Sequence, residues 1–238
     1  MTVTSTPSGT TLVVAIDRPP VNALDLETIE ALRAIFTAMG ANPPAGGMVL
    51  TGGGSRAFSA GIDTTAFADY DADRRRALVL EITAMTAALL AIPCPVVAAV
   101  NGHALGGGFV LMLACDLRLT VHSAAARFGL TEAQAGVPFP AGPSEIIRSE
   151  LPTDLLRRWT LSSEIVDGTT LLEKGIVDSL HAADALVPAA VERAATLAQQ
   201  PAFTTVKRQV RGPLAGRVAA LSARGEDPFL HAFLPREG

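Results

Sequence analysis

What most constrains the fold is an alternation: short apolar runs that read as strands, each followed by a segment with helical spacing. Residues 11–16 read as a strand. Residues 26–39 carry Leu26, Ile29, Leu32 and Phe36 on one face, with Asp25 as a candidate N-cap and Thr28 and Glu30 in the first turn. Residues 48–51 form a short buried strand that runs into Gly52-Gly53-Gly54. Residues 73–91 read as the longest helix, followed by a strand at 95–100, a helix at 107–114 and a strand at 116–121. This alternation predicts an α/β architecture with a parallel or mixed sheet. After about residue 143 helical segments dominate, at 143–150, 153–161, 169–174, 184–199 and 202–211. Gly175-Ile176-Val177-Asp178 suggests one further short strand. The chain therefore divides into a core over 1–190 and a helical C-terminal region over 191–238, with Pro228 and Pro235 near its end.

Composition excludes several classes. With 238 residues, 49% of them apolar, the chain is long enough for a substantial core. A formal charge of −4 and the absence of a basic stripe argue against nucleic acid as a partner. Arg74, Arg75 and Arg76 follow Asp69, Asp71 and Asp73 and read as a solvated helix start. Cys94 and Cys115 have no metal-site spacing and read as buried thiols in a reducing compartment. The N-terminus lacks the basic and apolar regions of a secretory signal, and the apolar stretch 84–100 is broken by Pro93 and Pro95. A soluble cytoplasmic protein with no metal and no membrane partner is expected.

Two glycine-bearing loops carry the chemistry. They are Phe58-Ser59-Ala60-Gly61-Ile62-Asp63 and Asn101-Gly102-His103-Ala104-Leu105-Gly106-Gly107-Gly108. Each puts glycine just after a strand, where backbone N–H groups can approach a ligand. The second also opens an apolar helix, whose N-terminus carries partial positive charge. Two such donors converging on a carbonyl oxygen would make an oxyanion hole.

In order along the chain, these pieces resemble the crotonase superfamily, the enoyl-CoA hydratases and isomerases. The resemblance runs from Thr11 to about Val187. It includes Asp17-Arg18-Pro19-Pro20-Val21-Asn22-Ala23-Leu24, Val49-Leu50-Thr51-Gly52-Gly53-Gly54 and both glycine loops. Further on come Ala114-Cys115-Asp116-Leu117-Arg118 and Phe128-Gly129-Leu130-Thr131-Glu132. It implies a spiral of ββα units with a C-terminal helical trimerisation region, assembled as a homotrimer or a hexamer (a dimer of trimers). It also implies an acyl-CoA thioester substrate, with coenzyme A part of that substrate and no separate cofactor. By position the thioester oxygen would be held by the N–H groups of Ile62 and Gly107. Ser59, Ala60, Gly61, Ala23 and Leu24 would line the adenine and pantetheine path, with Asp63, Gly106, Val110 and Phe139 close to the substrate.

One departure bears on the reaction. Hydratases of this family hold a catalytic water between two glutamates, and the first of those positions is Val110 here. The second matches Glu132, in Gly129-Leu130-Thr131-Glu132-Ala133-Gln134-Ala135-Gly136. Hydration needs a group to activate water and a proton donor for the α-carbon. Moving a double bond needs one base, which takes a proton from C2 and returns it at C4. The segment also resembles the mitochondrial type of Δ3,Δ2-enoyl-CoA isomerase, so isomerase is favoured over hydratase. For this role Glu132 should sit in an apolar pocket, with Val110, Val137, Pro138 and Phe139 as walls and its pKa raised.

Other residues have plainer readings. His103 is a structural or wall residue, Asp63 a turn cap, Asp116 a strand-edge acceptor, and Trp159 and Phe128 core. Thr64-Thr65 stand where many relatives carry a lysine near the CoA phosphates, leaving Arg18 or Arg56 to supply that charge. A hydratase that recruits another acid or runs slowly on Glu132 alone, and a catalytically weak homologue that binds acyl-CoA, a protein or RNA, are the alternatives.

Overall fold

The computed structural model describes residues 2–234; Pro235 and the first methionine lie outside the described residues. Among the described residues ten strands and ten α-helices follow in chain order. They are β1 (Val3–Ser8), β2 (Thr11–Ile16), α1 (Leu26–Ala41), β3 (Met48–Gly52), β4 (Ala57–Ser59), α2 (Thr64–Asp69), α3 (Ala72–Ala91), β5 (Val96–Val100), β6 (His103–Leu105) and α4 (Gly107–Ala114). There follow β7 (Leu117–Val121), β8 (Phe128–Gly129), α5 (Glu132–Ala135), α6 (Ala141–Glu150), α7 (Thr153–Ser162), β9 (Ile165–Val166), α8 (Gly168–Glu173), β10 (Ser179–His181), α9 (Ala183–Ala198) and α10 (Phe203–Arg224).

A six-stranded sheet has the order β1-β2-β3-β5-β7-β10, parallel throughout except for the β1–β2 hairpin. Its central strands β3 and β5 are buried along their whole length, which is why they read as unbroken apolar runs. A second sheet, β4-β6-β8-β9, stacks the short segments that follow the long strands. Strands β3, β5 and β7 of the first sheet each hand the chain to a short strand of the second (β4, β6 and β8) and then to a helix. The expected ββα repeat is present, and the fold is the mixed α/β one.

Asp25 caps α1 by accepting the Thr28 N–H at 2.9 Å, and Leu26, Ile29, Leu32 and Phe36 are all buried. Trp159 and Phe128 are core residues, and both cysteines are buried and free. Three expectations are corrected. The longest helix is α10, at 22 residues, against 20 for α3. It runs through Gly212 and Pro213, where the sequence reading ends it, because Leu214 and Val218 beyond them are buried. The last short strand is Ser179–His181, while residues 175–178 form the turn before it. Strand β1 is absent from the sequence reading because it is polar, with Pro7 tolerated on an edge. The short strands β4, β6, β8 and β9 have two or three residues each, too few to carry a period. The 190/191 division falls inside α9, which packs on β3, β5 and β7 of the large sheet.

Candidate active site

The second sheet builds the site. Parallel pairing of β4 with β6 sets the ends of both glycine loops side by side. The first loop is locked by Ala60 donating to Val21 O at 3.0 Å, Leu24 to Gly61 O at 2.8 Å and Asp63 to Leu24 O at 3.0 Å. Gly61 sits at φ +83°, and its N–H donates to Ser59 Oγ at 3.1 Å. These bonds occupy the N–H groups of Ala60, Gly61 and Asp63 on either side of Ile62. In the second loop Gly106, at φ +51°, donates to Gly129 O at 2.9 Å, and Gly107 opens α4. Among the described residues neither the Ile62 nor the Gly107 N–H donates to a protein acceptor. The two are neighbours: a Cβ on Gly107 would stand 3.9 Å from Ile62 N, and one on Gly61 would stand 2.9 Å from Gly107 N.

Glu132 stands across from them. It opens α5 directly after β8, and β8 pairs with β6, so the carboxylate lies beside Gly106. A Cβ on Gly106 would be 3.2 Å from Glu132 Oε1, so this position needs glycine for room as well as for its positive φ. Glu132 is 8% exposed, and its Oε2 has no hydrogen-bond partner among the described residues. Burial pushes its pKa up to about 7, against a smaller pull from its own backbone N–H and that of Thr131. A carboxylate so placed is divided between acid and base near neutrality, as proton transfer requires.

One pocket joins these groups. It is lined by Ile62, Gly107, Glu132, Leu24, Val110 and Leu111, by Ile82, Met85 and Thr86 from α3, and by Pro138, Pro140 and Pro143. Among the described residues Glu132 is the one ionisable side chain in that wall. Val110 faces the same space, fully buried. Thr86, the other polar side chain, donates its hydroxyl within α3 to the carbonyls of Ile82 and Thr83.

Other anticipated residues sit outside this pocket. Val137 and Phe139 are corrected: they line a separate groove with Ile147 and Leu156, and only Pro138 borders both. Ser59 is fully buried, and its hydroxyl shapes the Gly61 turn. Asp63 caps α2 by accepting the Thr65 and Ala66 N–H groups at 3.0 Å, and it pairs with Arg18 at 2.7 Å. The Ala66 N–H and Arg18 together hold its carboxyl below the ordinary range. Arg18 also pairs with Asp25 and donates to Ala23 O, so it is bound internally and is not a free cation for phosphate. Arg56 is exposed at the start of β4. His103 lies at the far end of β6, where its Nδ1 accepts the Arg127 N–H at 3.1 Å. Ile82, Met85 and Thr86 were missed as lining residues, although their i, i+3, i+4 spacing marks one helix face. Among the described residues no group of three or more His, Cys, Asp or Glu could hold a metal ion.

The profile of the enoyl-CoA hydratase/isomerase family matches residues 7–231. The chain belongs to this family. It is accordingly an acyl-CoA enzyme of the hydratase, dehydratase and isomerase class. The carnitinyl-CoA dehydratase of Citrobacter koseri is 32% identical over 192 residues, covering 81% of this chain and 71% of that one. The carnitinyl-CoA dehydratase of Proteus mirabilis is 31% identical, covering 81% and 73%. Among solved structures, an apo enoyl-CoA isomerase of Mycobacterium tuberculosis superimposes with a TM-score of 0.83 at 25% identity, over 94% of this chain and 97% of that one. DspI of Pseudomonas aeruginosa superimposes with a TM-score of 0.82 at 31% identity, over 89% and 81%. Among the described residues no helix is long and apolar enough to cross a membrane.

Proposed function

We propose that this enzyme shifts the double bond of a 3-enoyl-CoA to the 2-position, with Glu132 as its one base. The observation that carries this reading is that Glu132 is the only ionisable group in a wall that also holds the Ile62 and Gly107 N–H groups. The thioester oxygen accepts from those two donors. Glu132 removes a proton from C2, the electrons pass into a dienolate, and the hole holds the negative charge on oxygen. The same carboxyl then delivers that proton to C4, so the double bond moves from C3–C4 to C2–C3 and nothing is consumed. Buried Val110 leaves no second carboxylate to hold and activate water. Coenzyme A arrives with the substrate, and the reaction balances without a further cofactor.

A homotrimer, or a dimer of two, follows from the family resemblance, and the exposed Val206 and Val210 on α10 support burial against another copy. The buried free cysteines support a reducing, cytoplasmic setting.

A second reading, dehydration of a 3-hydroxyacyl-CoA, is favoured by the two dehydratases above 30% identity. The test offers the purified protein a 3-enoyl-CoA, a 2-enoyl-CoA and a 3-hydroxyacyl-CoA, beside Glu132→Gln. The expected result is conjugation of the 3-enoyl thioester, little hydration or dehydration, and a loss of at least about a hundredfold in the variant. Brisk water addition or loss with slow isomerisation would replace this reading with the second.

A further inference from the structure

We infer that Ser163 is a positioning residue for Glu132: its hydroxyl, set by a left-handed backbone at the end of α7, caps the short helix that carries the base. The inference rests on Glu132 as the group that moves the proton, and so on the proposed chemistry. Helix α5 has four residues, Glu132–Ala135, too few to hold itself in place. Its third amide, the Gln134 N–H, has no partner within so short a helix, and Thr131 at the N-cap position supplies no side-chain bond. Ser163 Oγ accepts that N–H at 3.1 Å, from 29 positions along the chain. Another element thus fills the N-cap role.

The backbone singles out the same residue. Ser163 sits at φ +51° and ψ +40°, in the left-handed region, and it is buried. Glycine would take this conformation freely, so serine costs backbone energy here and what it adds is the hydroxyl. Just beyond it, Ile165 pairs with Gly129 and Val166 with Phe128 in the β8–β9 ladder. A Cβ on Gly129 would stand 2.6 Å from Glu164 O, so the two segments lie in close contact. Residues 163–166 therefore grip the chain on both sides of Glu132, through the ladder before it and through Ser163 after it. Glu132 Oε2 has no hydrogen-bond partner among the described residues, so the direction of the carboxyl depends on the backbone that carries it.

Ser163→Gly separates positioning from folding, because it removes the acceptor and relieves the backbone together. Its thermal unfolding is expected to stay close to that of the wild type. The Gln134 amide should exchange its proton about fivefold faster, and kcat should fall about fivefold with KM unchanged. Ser163→Asn, which tolerates the left-handed backbone and offers a carbonyl acceptor, is expected to recover most of that loss. Turnover is read on whichever of a 3-enoyl-CoA and a 3-hydroxyacyl-CoA the wild type converts, and amide exchange needs no turnover. Wild-type kcat and unchanged Gln134 exchange in Ser163→Gly would overturn the inference. A Ser163→Gly chain that unfolds well below the wild type would do the same, by making the hydroxyl part of the fold alone. Glu132→Gln in parallel keeps the two readings apart. A fully active Glu132→Gln would overturn Glu132 as the base, whereas a dead Glu132→Gln beside an unimpaired Ser163→Gly would overturn only the role of Ser163.

Discussion

Glu132 sets an opposition between stability and activity. Its carboxyl has a folded pKa of about 7 against an ordinary 4.5, and desolvation is the cause. Between those values the folded chain holds a proton that the unfolded chain has released, so stability falls as pH rises. The contribution of this group is complete below about 4.5 and is lost as pH climbs through about 7. The full difference is on the order of 3 kcal/mol. Glu132→Gln is therefore expected to be more stable than the wild type by roughly that amount at pH 8, and nearly equal to it at pH 5, by urea unfolding. An equal difference at both pH values would mean that the carboxyl does not titrate in the folded state. Activity should run the opposite way, with kcat/KM on a 3-enoyl-CoA rising through about 7 as the base ionises. The pairing of Glu132 with an apolar Val110 was legible in the sequence because both stand at fixed distances from glycine landmarks. Val137 and Phe139 were not. Gly136, at φ +75°, ends α5, and the irregular stretch after it sends those two side chains into the outer groove.

At the level of elements, the triple glycine at the start of α4 divides three tasks that the sequence presents as one. Gly106 supplies a positive φ and clearance for Glu132, Gly107 lines the pocket, and Gly108 lets α4 press against β4. A Cβ on Gly108 would stand 2.2 Å from Ser59 O, a backbone atom that cannot yield. Gly108→Ala should force α4 away from β4, with a stability loss of about 2 kcal/mol and loss of turnover together. A Cβ on Gly107 meets nothing nearer than 3.6 Å, at Leu24 Cδ1. Gly107→Ala should therefore change stability by less than about 1 kcal/mol while lowering kcat/KM, because the methyl enters the pocket beside Ile62 N. Thermal unfolding and turnover of the two variants check the contrast. A Gly107→Ala protein as active as wild type would remove Gly107 from the hole. Glycine runs are readable as close approach, but which atom approaches depends on strand pairing three residues away. Helix α10 illustrates the opposite error. Gly212 and Pro213 read as a terminus, whereas burial of Leu214 and Val218 carries the helix on for another three turns.

Across the whole molecule, the C-terminal region is joined to the core by a line of partly buried charges. Lys207 pairs with Asp116 at 2.6 Å, and Arg211 lies 3.4 Å from the other Asp116 oxygen and 3.2 Å from Glu150, which in turn pairs with Arg118. Lys207 also donates to Cys94 O at 2.8 Å, and Arg211 to the Cys115 and Ala114 carbonyls that end α4. Asp116 accepts the Val96 N–H as well, so this one carboxylate binds β5 and α10 at the head of β7. The residues were visible in the sequence only as scattered charges, because contacts between positions about ninety apart leave no local pattern. Helix α10 packs on α3 and α6, the two helices that close the substrate pocket, so its docking bears on the site from behind. Removing the carboxylate leaves partly buried cations without their partner, which costs on the order of 2–3 kcal/mol. Asp116→Ala is expected to lose that much, largely independent of salt, since the pairs are screened little. Hydrogen exchange should quicken first in residues 203–211 and later in β3 and β5. Adding Lys207→Met to the same chain should recover part of the loss by removing one stranded charge. Uniform loosening of sheet and α10 alike, with no recovery in the double variant, would mean that Asp116 matters through Val96 alone and that the charges do not hold the C-terminal region in place.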